Sequence, residues 1–503
     1  MTDLIPLVVI VPLLAAALCV IFARHRRVQR VISLVALTSN VVTAIILLIE
    51  VDDEGILVTQ AGGWRVPIGI TLMVDRLSAV MLVVSSLMLI SVMVYAIGLG
   101  DEERRFAAFH PIYLALAAGV SASFITGDLF NLFVAFEVML VASYVLLTLG
   151  GRREQVRSGM TYVIISLIAS TFFVTALALL YAATGTVNMV QLAERMPELE
   201  AGVRLGFSLL LVVVFGIKAG VFPLFFWLPD SYPTAPGAIT AVFAGLLTKV
   251  GVYAIIRSQT LLFPPDDRQG TLLLVVAALT MIIGVFGALS QDDLRRILSF
   301  HVISQIGYMI FGLAMFTLAG IAGAVFYVVH HIAVKTSLFL VAGMVEFRTG
   351  SGRLSHVGGL VRSAPVVAIL FAFPALSLAG LPPFSGFIAK FALVDAGLDK
   401  GVYLVVVASL LASLLTVMSM AKIWLGVFWG DPEDARVVRR LRDPSSRSPY
   451  LMGIATAMVV SISLALIVFA DPVYQFAERA AEELLEPGRY VEAVLDPGEG
   501  SGS

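Results

Sequence analysis

The sequence predicts an all-α, polytopic membrane protein of about fourteen transmembrane helices, arranged as two inverted five-helix repeats in which helices 7 and 12 are discontinuous. The first observation is composition: 59% of the 503 residues are hydrophobic and only 14% are charged, whereas about 25% are charged in soluble proteins. The second is the number of long apolar segments, and the third is the position of prolines within two of them. Lipid must therefore cover most of this molecule.

Apolar segments recur along the whole chain, and each holds the roughly 20 residues needed to cross a bilayer. They are too long and continuous for barrel strands, and in lipid a helix satisfies its own backbone hydrogen bonds. We number these segments span 1 to span 14. They begin near Ile5, Val28, Leu77, Phe109, Asp128, Met160, Leu205, Thr234, Thr271, Ile297, Gly320, Val366, Val402 and Pro449.

The loops between spans differ in charge. Loops after odd-numbered spans are basic, as in RHRRVQR, ERR, GRREQVR, DDLRR, EFRTGSGRL and DARVVRRLR, whereas loops after even-numbered spans read EVDDEG, AERMPELEAG and PPDDRQG. Because arginine and lysine concentrate in cytoplasmic loops, we expect the odd loops to face the cytoplasm. The sequence then predicts a multi-pass protein of the cell membrane with both termini external.

Several function classes lack support. The net charge is −2 without a basic tail, which gives no sign of a nucleic-acid partner. Cys19 is the only cysteine, so no cysteine cluster can hold zinc or iron–sulfur, and no GxxxxGK loop for ATP is present. We expect no metal, no cofactor and no enzymatic reaction, and therefore an ion gradient or a partner subunit as the energy source.

Ionisable residues lie in the middle of several spans: Glu137, Lys218, Lys249, Lys335 with His330 and His331 beside it, and Lys390. A charge at the bilayer centre costs at least about 2.5–3.5 kcal/mol. The alternatives are buried structural pairs or side chains that extend to the interface. Extension to the interface is excluded for Glu137, Lys218 and Lys249, because each has apolar residues on both sides. We therefore expect these residues to line a proton or cation path.

Residue type and spacing favour protons. A buried lysine can release its proton, whereas arginine cannot. His331 and Lys335 are four residues apart and share a helix face, whereas His330 points about 100° away and is a weaker candidate. Neutral histidine carries a donor and an acceptor, which suits proton transfer.

Prolines interrupt two spans next to lysines. Pro223 follows Lys218 in span 7, and Pro382 and Pro383 precede Lys390 in span 12. Broken helices in corresponding places of two halves are typical of ion sites in inverted-repeat transporters, and an odd offset of five spans inverts the topology. Two five-helix units related by an axis in the membrane plane fit this offset.

Long motifs resemble a known family. GDLFNLFVAFEVMLVASYVLL, KAGVFPLFFWLPDSYPTAPGAITAVFAGLLTKVGVYAIIR, DDLRRILSFHVISQIGYM, HHIAVKTSLFL and GLPPFSGFIAKF resemble the antiporter-like subunits shared by Mrp cation/proton antiporters and respiratory complex I. The resemblance covers nearly the whole chain, and it implies that spans 4–8 and 9–13 are the inverted repeats. The predicted units are then the N-terminal helices (1–107), the first repeat (108–257), the second repeat (258–430), a cytoplasmic loop with helix 14 (431–470), and an external acidic tail with one surface helix and a partly disordered remainder (471–503). The stretch GGWRVPIGITLMVDRLSAVML, together with FEVMLVASYVLL, is most similar to D-type subunits of the Mrp branch.

The resemblance implies roles for the intramembrane residues. Glu137 matches the family's span-5 glutamate and Lys218 the lysine that pairs with it. Lys249 matches the central carrier, His331 and Lys335 the span-11 relay, and Lys390 the last position, where some relatives have glutamate.

The resemblance also implies a function and partners. The expected function is proton translocation within a multisubunit Na⁺/H⁺ antiporter, beside other Mrp-type membrane subunits that include a larger antiporter-like homologue, in contact with lipid. The main alternative is the proton-pumping membrane subunit of a complex I-like or membrane-bound hydrogenase complex. A scaffold with purely structural charges is a second alternative, and a self-contained permease is a third.

Overall fold

A computed structural model describes residues 2–64, 66, 68–100, 106, 108–430 and 449–495. Within these residues, twelve helices are long and apolar enough to cross a membrane, and two shorter apolar helices accompany them. Together they account for the fourteen predicted spans and confirm the all-α fold. Segments 101–105 and 431–448, which contain the basic motifs ERR and DARVVRRLR, lie outside the described residues, as does the end of the tail (496–503), predicted to be partly disordered.

The spans have the following bounds: Leu7–Ile21, Arg26–Glu54, Arg76–Leu99, Phe109–Ile125, Leu129–Thr148, Arg153–Thr184, Ala201–Ala219 continued by Leu228–Ser231, Gly237–Leu261, Gly270–Leu289, Leu294–Ala314, Leu318–Thr349, Pro365–Ala379 continued by Ser385–Asp399, Tyr403–Trp429, and Pro449–Val468. Span 6 begins seven residues before the predicted Met160 because its first turns are polar, and hydropathy detects only the apolar part of a helix.

The two predicted discontinuities are present. Span 7 ends its first half at Ala219, with Gly220 in the left-handed region at φ 78°. Span 12 does the same at Ala379, with Gly380 at φ 80°. A left-handed residue at this position ends a helix, and glycine adopts it without steric cost.

Two segments of π-helix also lie five spans apart, at Phe243–Leu247 in span 8 and at Trp424–Trp429 in span 13. Such segments leave backbone groups outside the regular α-helical pattern and recur at functional sites.

Matching hydrogen-bond networks support the inverted repeats. In the loops after span 6 and span 11, a threonine hydroxyl accepts a backbone N–H two residues on, and a backbone bridge ties the loop to the start of the span before. The corresponding pairs are Thr184 with Thr349, Thr186 with Ser351, Asn188 with Arg353, and Asp128 with Asp293. The boundaries of the five predicted units remain predictions.

A small hairpin was not predicted. β1 (Leu57–Gln60) pairs antiparallel with β2 (Thr71–Val74) between spans 2 and 3. After span 14 the tail forms two helices, Ala470–Leu485 and Pro487–Leu495, where the sequence predicted one surface helix. We call these the first and second tail helices.

The hairpin, the loop after span 8 and the tail helices lie together, since the second tail helix places Tyr490 over the Arg257 guanidinium near the end of span 8. We call this the hairpin end. The loops after spans 5, 9 and 11 meet at the opposite end, where Arg295 pairs with Glu346 and Gln155 donates a hydrogen bond to Thr234 O at 2.9 Å.

Spans 8 and 11 form the centre of the molecule. Their most apolar stretches are entirely buried by protein, whereas only 39% of the corresponding stretch is buried in spans 6, 9, 13 and 14. The central spans are those that carry Lys249, Lys335 and both histidines, so protein surrounds these charges.

Candidate functional site

Glu137 lies on span 5 and is half-buried against span 6. Its Oε1 accepts a hydrogen bond from the Ser170 hydroxyl. A hydrogen bond to a charged acceptor contributes about 1.5–3 kcal/mol, so Ser170 stabilises the Glu137 side chain in this position within the membrane.

Lys218 lies in the last turn of the first half of span 7, where the helix ends at Gly220. Its ammonium is buried and has no hydrogen-bond partner within the described residues, but it interacts electrostatically with Glu137. The predicted pair is therefore coupled through its charges and not through a hydrogen bond. A free ammonium beside a helix C-terminus gains from the helix dipole.

A small cavity adjoins Lys218 on the side of span 6. Its lining includes Tyr162, Ser166 and Trp227. Polar hydroxyls and a buried ammonium without a partner are the surroundings in which ordered water is expected. Water there would connect Lys218 with the Ser166 side of span 6.

Lys249 is fully buried immediately after the π-helix of span 8. Its Nζ donates to Ala244 O within that π-helix, and to Thr248 Oγ1 at 3.1 Å. The π-helix thus supplies a carbonyl that holds the ammonium at the centre of the molecule.

His331 and Lys335 lie on the same face of span 11, as predicted, and both are fully buried. Lys335 Nζ donates to Leu298 O of span 10 at 3.2 Å. Neither ring nitrogen of His331 has a partner in the described part of the chain. Because burying an unpaired polar group is costly, both ring nitrogens of His331 are positions at which a buried water molecule is expected.

Lys390 occupies a site made of acceptors. Its Nζ donates to Leu378 O at 3.0 Å, to Ala379 O at 3.3 Å and to Ser413 Oγ at 3.0 Å. The ammonium also lies 5.1 Å from the centre of the Tyr308 ring. The first two acceptors are the last carbonyls of the first half of span 12, so the helix break provides this site.

His330 points away from Lys335, as the spacing predicted, and its Nδ1 lies 2.9 Å from Ser385 Oγ in the second half of span 12. This contact joins span 11 to the broken helix and orients the ring towards Lys390, whose charge acts on it. Pro223, Pro382 and Pro383 lie within the breaks and contribute no side-chain polar group.

Sequence analysis missed a polar group on span 10. His301 Nε2 lies 2.8 Å from Ser419 Oγ of span 13, and Gln305 accepts a hydrogen bond from Tyr327 of span 11. Tyr327 stacks on Tyr308 with ring centres 5.2 Å apart. The sequence contains a pattern that could have identified this group: His301 and Gln305 are four residues apart inside an apolar span, as His331 and Lys335 are.

Glycines allow the lysine-bearing spans to approach closely. A Cβ on Gly251 of span 8 would lie 2.5 Å from Ala219 N, next to Lys218. One on Gly245 would lie 2.3 Å from Thr336 Oγ1, next to Lys335. Spans 7, 8 and 11 therefore pack closely at glycines near their lysines. Lys249 of span 8 lies between Lys218 of span 7 and Lys335 of span 11.

The buried groups form a line across the molecule, from Glu137 and Lys218 through Lys249 to the pair His331 and Lys335, and on to His330 and Lys390. Electrostatic interactions join Glu137 with Lys218, and they join Lys249 with His331, Lys335, His330 and Lys390. Between these two groups the connection is the close packing of span 7 against Gly251 of span 8. The described residues contain no cluster of three or more histidine, cysteine, aspartate or glutamate side chains that could hold a metal ion. The line consists of side chains of types that can gain or lose a proton.

Comparison with known proteins identifies the family. The family model described as NADH:quinone oxidoreductase/Mrp antiporter, TM matches residues 126–416. The D subunit of the Na(+)/H(+) antiporter of Alkalihalophilus pseudofirmus is 42% identical, with 98% of this chain and 100% of that protein covered. The corresponding protein of Bacillus subtilis, which has the same name, is 36% identical with the same two coverages.

Solved structures agree. A chain in the Mrp complex from Dietzia sp. DQ12-45-1b is 35% identical and superposes with a TM-score of 0.91, with 99% of this chain and 100% of that chain covered. A chain of an archaeal membrane-bound sulfane sulfur reductase shares the fold at 24% identity, with a TM-score of 0.88 and coverages of 98% and 100%. The chain therefore belongs to the family of transmembrane subunits that NADH:quinone oxidoreductases and Mrp antiporters share, and within it to the D-type subunits of Na⁺/H⁺ antiporters.

Proposed function

We propose that this chain translocates protons within a multisubunit antiporter that exchanges Na⁺ or another monovalent cation for protons across the cell membrane. The observation that carries the proposal is the line of buried ionisable groups from Glu137 to Lys390 through the centre of the molecule. A secondary transporter of this kind catalyses no bond chemistry, and the ion gradient supplies its energy.

In this mechanism the four lysines Lys218, Lys249, Lys335 and Lys390 carry protons, and His331 passes them on. Glu137 sets the charge state of Lys218: proximity of the carboxylate favours the ammonium, and separation of the two favours loss of its proton. Because Lys218 has no hydrogen-bond partner in the described residues, its proton can be transferred through water without breaking a bond to protein.

We assign the proton path to this chain and the sodium path mostly to partner subunits. Na⁺ prefers oxygen ligands, and the acceptor-rich site in span 12 already holds the ammonium of Lys390. The proposed partners are other Mrp-type membrane subunits, including a larger antiporter-like homologue.

The first test is Lys218→Arg in the assembled complex. Arginine keeps the positive charge next to Glu137 but does not release its proton. We expect normal assembly and loss of cation-driven proton movement in vesicles, measured with a pH-sensitive dye. Full transport would overturn the relay, and failure of Lys218→Arg, Glu137→Gln and Lys390→Ala to assemble would favour the scaffold alternative.

The second test separates the antiporter from the redox alternative. We expect that gentle purification of the native complex, followed by mass spectrometry, will yield small hydrophobic subunits and a larger homologue. Co-purification of iron–sulfur, flavin or nickel proteins would instead identify a proton-pumping arm of a redox enzyme. In that case the relay would stand and sodium exchange would not.

A further inference from the structure

A second group of buried charges lies at the hairpin end, outside the line of lysines. Asp75, which precedes span 3, and Arg257 of span 8 are 1% and 4% exposed, and Arg257 Nη2 lies 2.6 Å from Asp75 Oδ2. Glu483 of the first tail helix and Tyr490 of the second line the same small cavity. The proposed relay uses none of these four residues.

Span 8 connects this cavity to Lys249. Lys249, Tyr253 and Arg257 are spaced by four residues and share one face of the helix, about 6 Å apart along its axis. The Tyr253 hydroxyl lies 2.9 Å from Ser78 Oγ and 3.3 Å from Arg257 Nη2. The same hydroxyl donates to Phe124 O at 2.8 Å, whereas Lys249 Nζ donates to Ala244 O and Thr248 Oγ1. The Tyr253 hydroxyl therefore contacts the Asp75–Arg257 pair directly, and it follows Lys249 by one turn on the same face of span 8.

The cavity presents polar atoms without protein partners. Within the described residues, Arg257 Nε and the Tyr490 hydroxyl are buried and make no hydrogen bond. Buried donors of this kind are usually satisfied by ordered water. Two such groups beside Asp75 and Glu483 indicate a site for a water molecule near two carboxylates.

Glu483 lies between the cavity and a group of ion-paired side chains near the surface. Arg76 pairs with its carboxylate and also, at 3.1 Å, with Asp52, to which Arg479 of the same tail helix pairs at 2.8 Å. Burial and the neighbouring Asp75 raise the pKa of Glu483, against the opposing effect of Arg76 and Arg257. A carboxyl group in this environment takes up protons more readily than an exposed one.

We propose that Tyr253, Asp75 and Glu483, with water in the cavity between them, form the route by which protons pass between Lys249 and the hairpin end. In the outward direction the Lys249 ammonium gives its proton to water at Tyr253, and the proton reaches a carboxylate of Asp75 or Glu483 and then the medium. No bond other than those to the proton changes. Arg257 keeps its own proton and, as a fixed positive charge, repels metal cations.

The tail helices cover this route, because Glu483 and Tyr490 close the cavity from the medium. The inference rests on the proposed function, since it needs Lys249 to carry protons. It goes further by naming the group that exchanges protons with one side of the membrane.

The test uses the whole complex in vesicles whose luminal and external pH are set independently. The variants are Tyr253→Phe and Glu483→Gln. Tyr113→Phe is the first matched control because it removes another buried hydroxyl, which donates to Leu89 O. Glu482→Gln is the second, because it changes the exposed neighbour of Glu483. Lys249→Met tests the proposed function in the same assay.

We expect Tyr253→Phe to slow proton movement about tenfold or more. Glu483→Gln should flatten the dependence of the rate on pH at the hairpin end while leaving the dependence on pH at the opposite end intact. If Glu483 had a purely structural role, its replacement would affect the dependence of the rate on pH equally at both ends. Both controls should match the unmodified complex.

If Tyr253→Phe and Glu483→Gln match their controls while Lys249→Met is inactive, the route is wrong and the relay stands. If Lys249→Met transports normally, the relay and the route are both wrong. Should Glu483→Gln fail to assemble, Tyr253→Phe decides the question, because phenylalanine fills the same space.

Discussion

A single hydrogen bond from the Ser170 hydroxyl holds the half-buried Glu137 side chain within the membrane. Replacing Ser170 by Ala removes this donor and should destabilise the carboxylate by about 1.5–3 kcal/mol. We expect transport to fall about tenfold or more without loss of assembly, measured as the initial rate of dye response in vesicles.

The control for that variant is Thr171→Ala on the adjacent, exposed face of span 6, where the hydroxyl donates only to Leu167 O. It should transport normally. Equal rates for Ser170→Ala and Thr171→Ala would contradict a role for Ser170 in holding the charge of Glu137.

Lys390 permits a prediction about charge sign. Its ammonium is held by Leu378 O, Ala379 O and Ser413 Oγ, a set that suits a cation. Although some relatives have glutamate at this position, Lys390→Glu here would place carboxylate oxygens against these carbonyls. We expect loss of transport and weaker assembly, measured by transport assay and native gel. Transport at the normal rate in Lys390→Glu would show that the site tolerates either charge.

At this scale the sequence predicted which charged residues lie inside spans better than what they contact. Hydropathy located Glu137, Lys218, Lys249 and Lys335 because charges are rare inside spans. It could not predict that Lys218 lacks a hydrogen-bond partner in the described residues or that His301 contacts Ser419. Such contacts depend on the packing of helices distant in sequence.

At the scale of elements, the break in span 12 positions Lys390, and Gly380 makes the break possible. A Cβ on Gly380, at φ 80°, would lie 2.8 Å from Lys390 Cδ. Gly380→Ala therefore combines left-handed strain of about 1–2 kcal/mol with a clash against the lysine. We expect reduced transport and a lower melting temperature.

Gly401→Ala is the matched control, because Gly401 has φ 77° but no atom lies within 4 Å of an added Cβ. It carries the backbone strain without the clash. We expect Gly401→Ala to lower the melting temperature while transport persists. If the two variants lose transport equally, the contact with Lys390 has no part in the effect.

Long elements were predictable and short ones were not. A span of about 20 apolar residues is a strong signal, and two adjacent prolines mark a break. The four-residue strands β1 and β2 fall below such signals, since two-stranded hairpins are stable only against other structure. The second tail helix is likewise defined by packing, with Tyr490 and Val494 buried.

At the scale of the whole molecule, five-helix periodicity relates the two halves. The prolines predicted it, and the matching threonine loops after spans 6 and 11 support it. Inversion places one of these loops at each end of the molecule. The same fold element thus lies at opposite ends of the molecule, as expected for repeats of inverted topology.

The orientation of the molecule can be tested with single cysteines. Cys19 is fully buried and should not react with a membrane-impermeant maleimide. Glu482→Cys in the first tail helix and Asp266→Cys after span 8 expose thiols at the hairpin end, and Arg153→Cys exposes one at the opposite end.

In intact cells we expect labelling of Cys at positions 482 and 266, and labelling at 153 only after lysis, because basic loops stay in the cytoplasm. Two positions are used at the hairpin end so that poor access to one thiol does not decide the result. Both belong to this end because Tyr490 of the second tail helix contacts Arg257 near the end of span 8. Labelling of position 153 alone in intact cells would show that the orientation is the reverse of the predicted one. The route through Glu483 would then open to the cytoplasm, and protons would enter or leave the relay there.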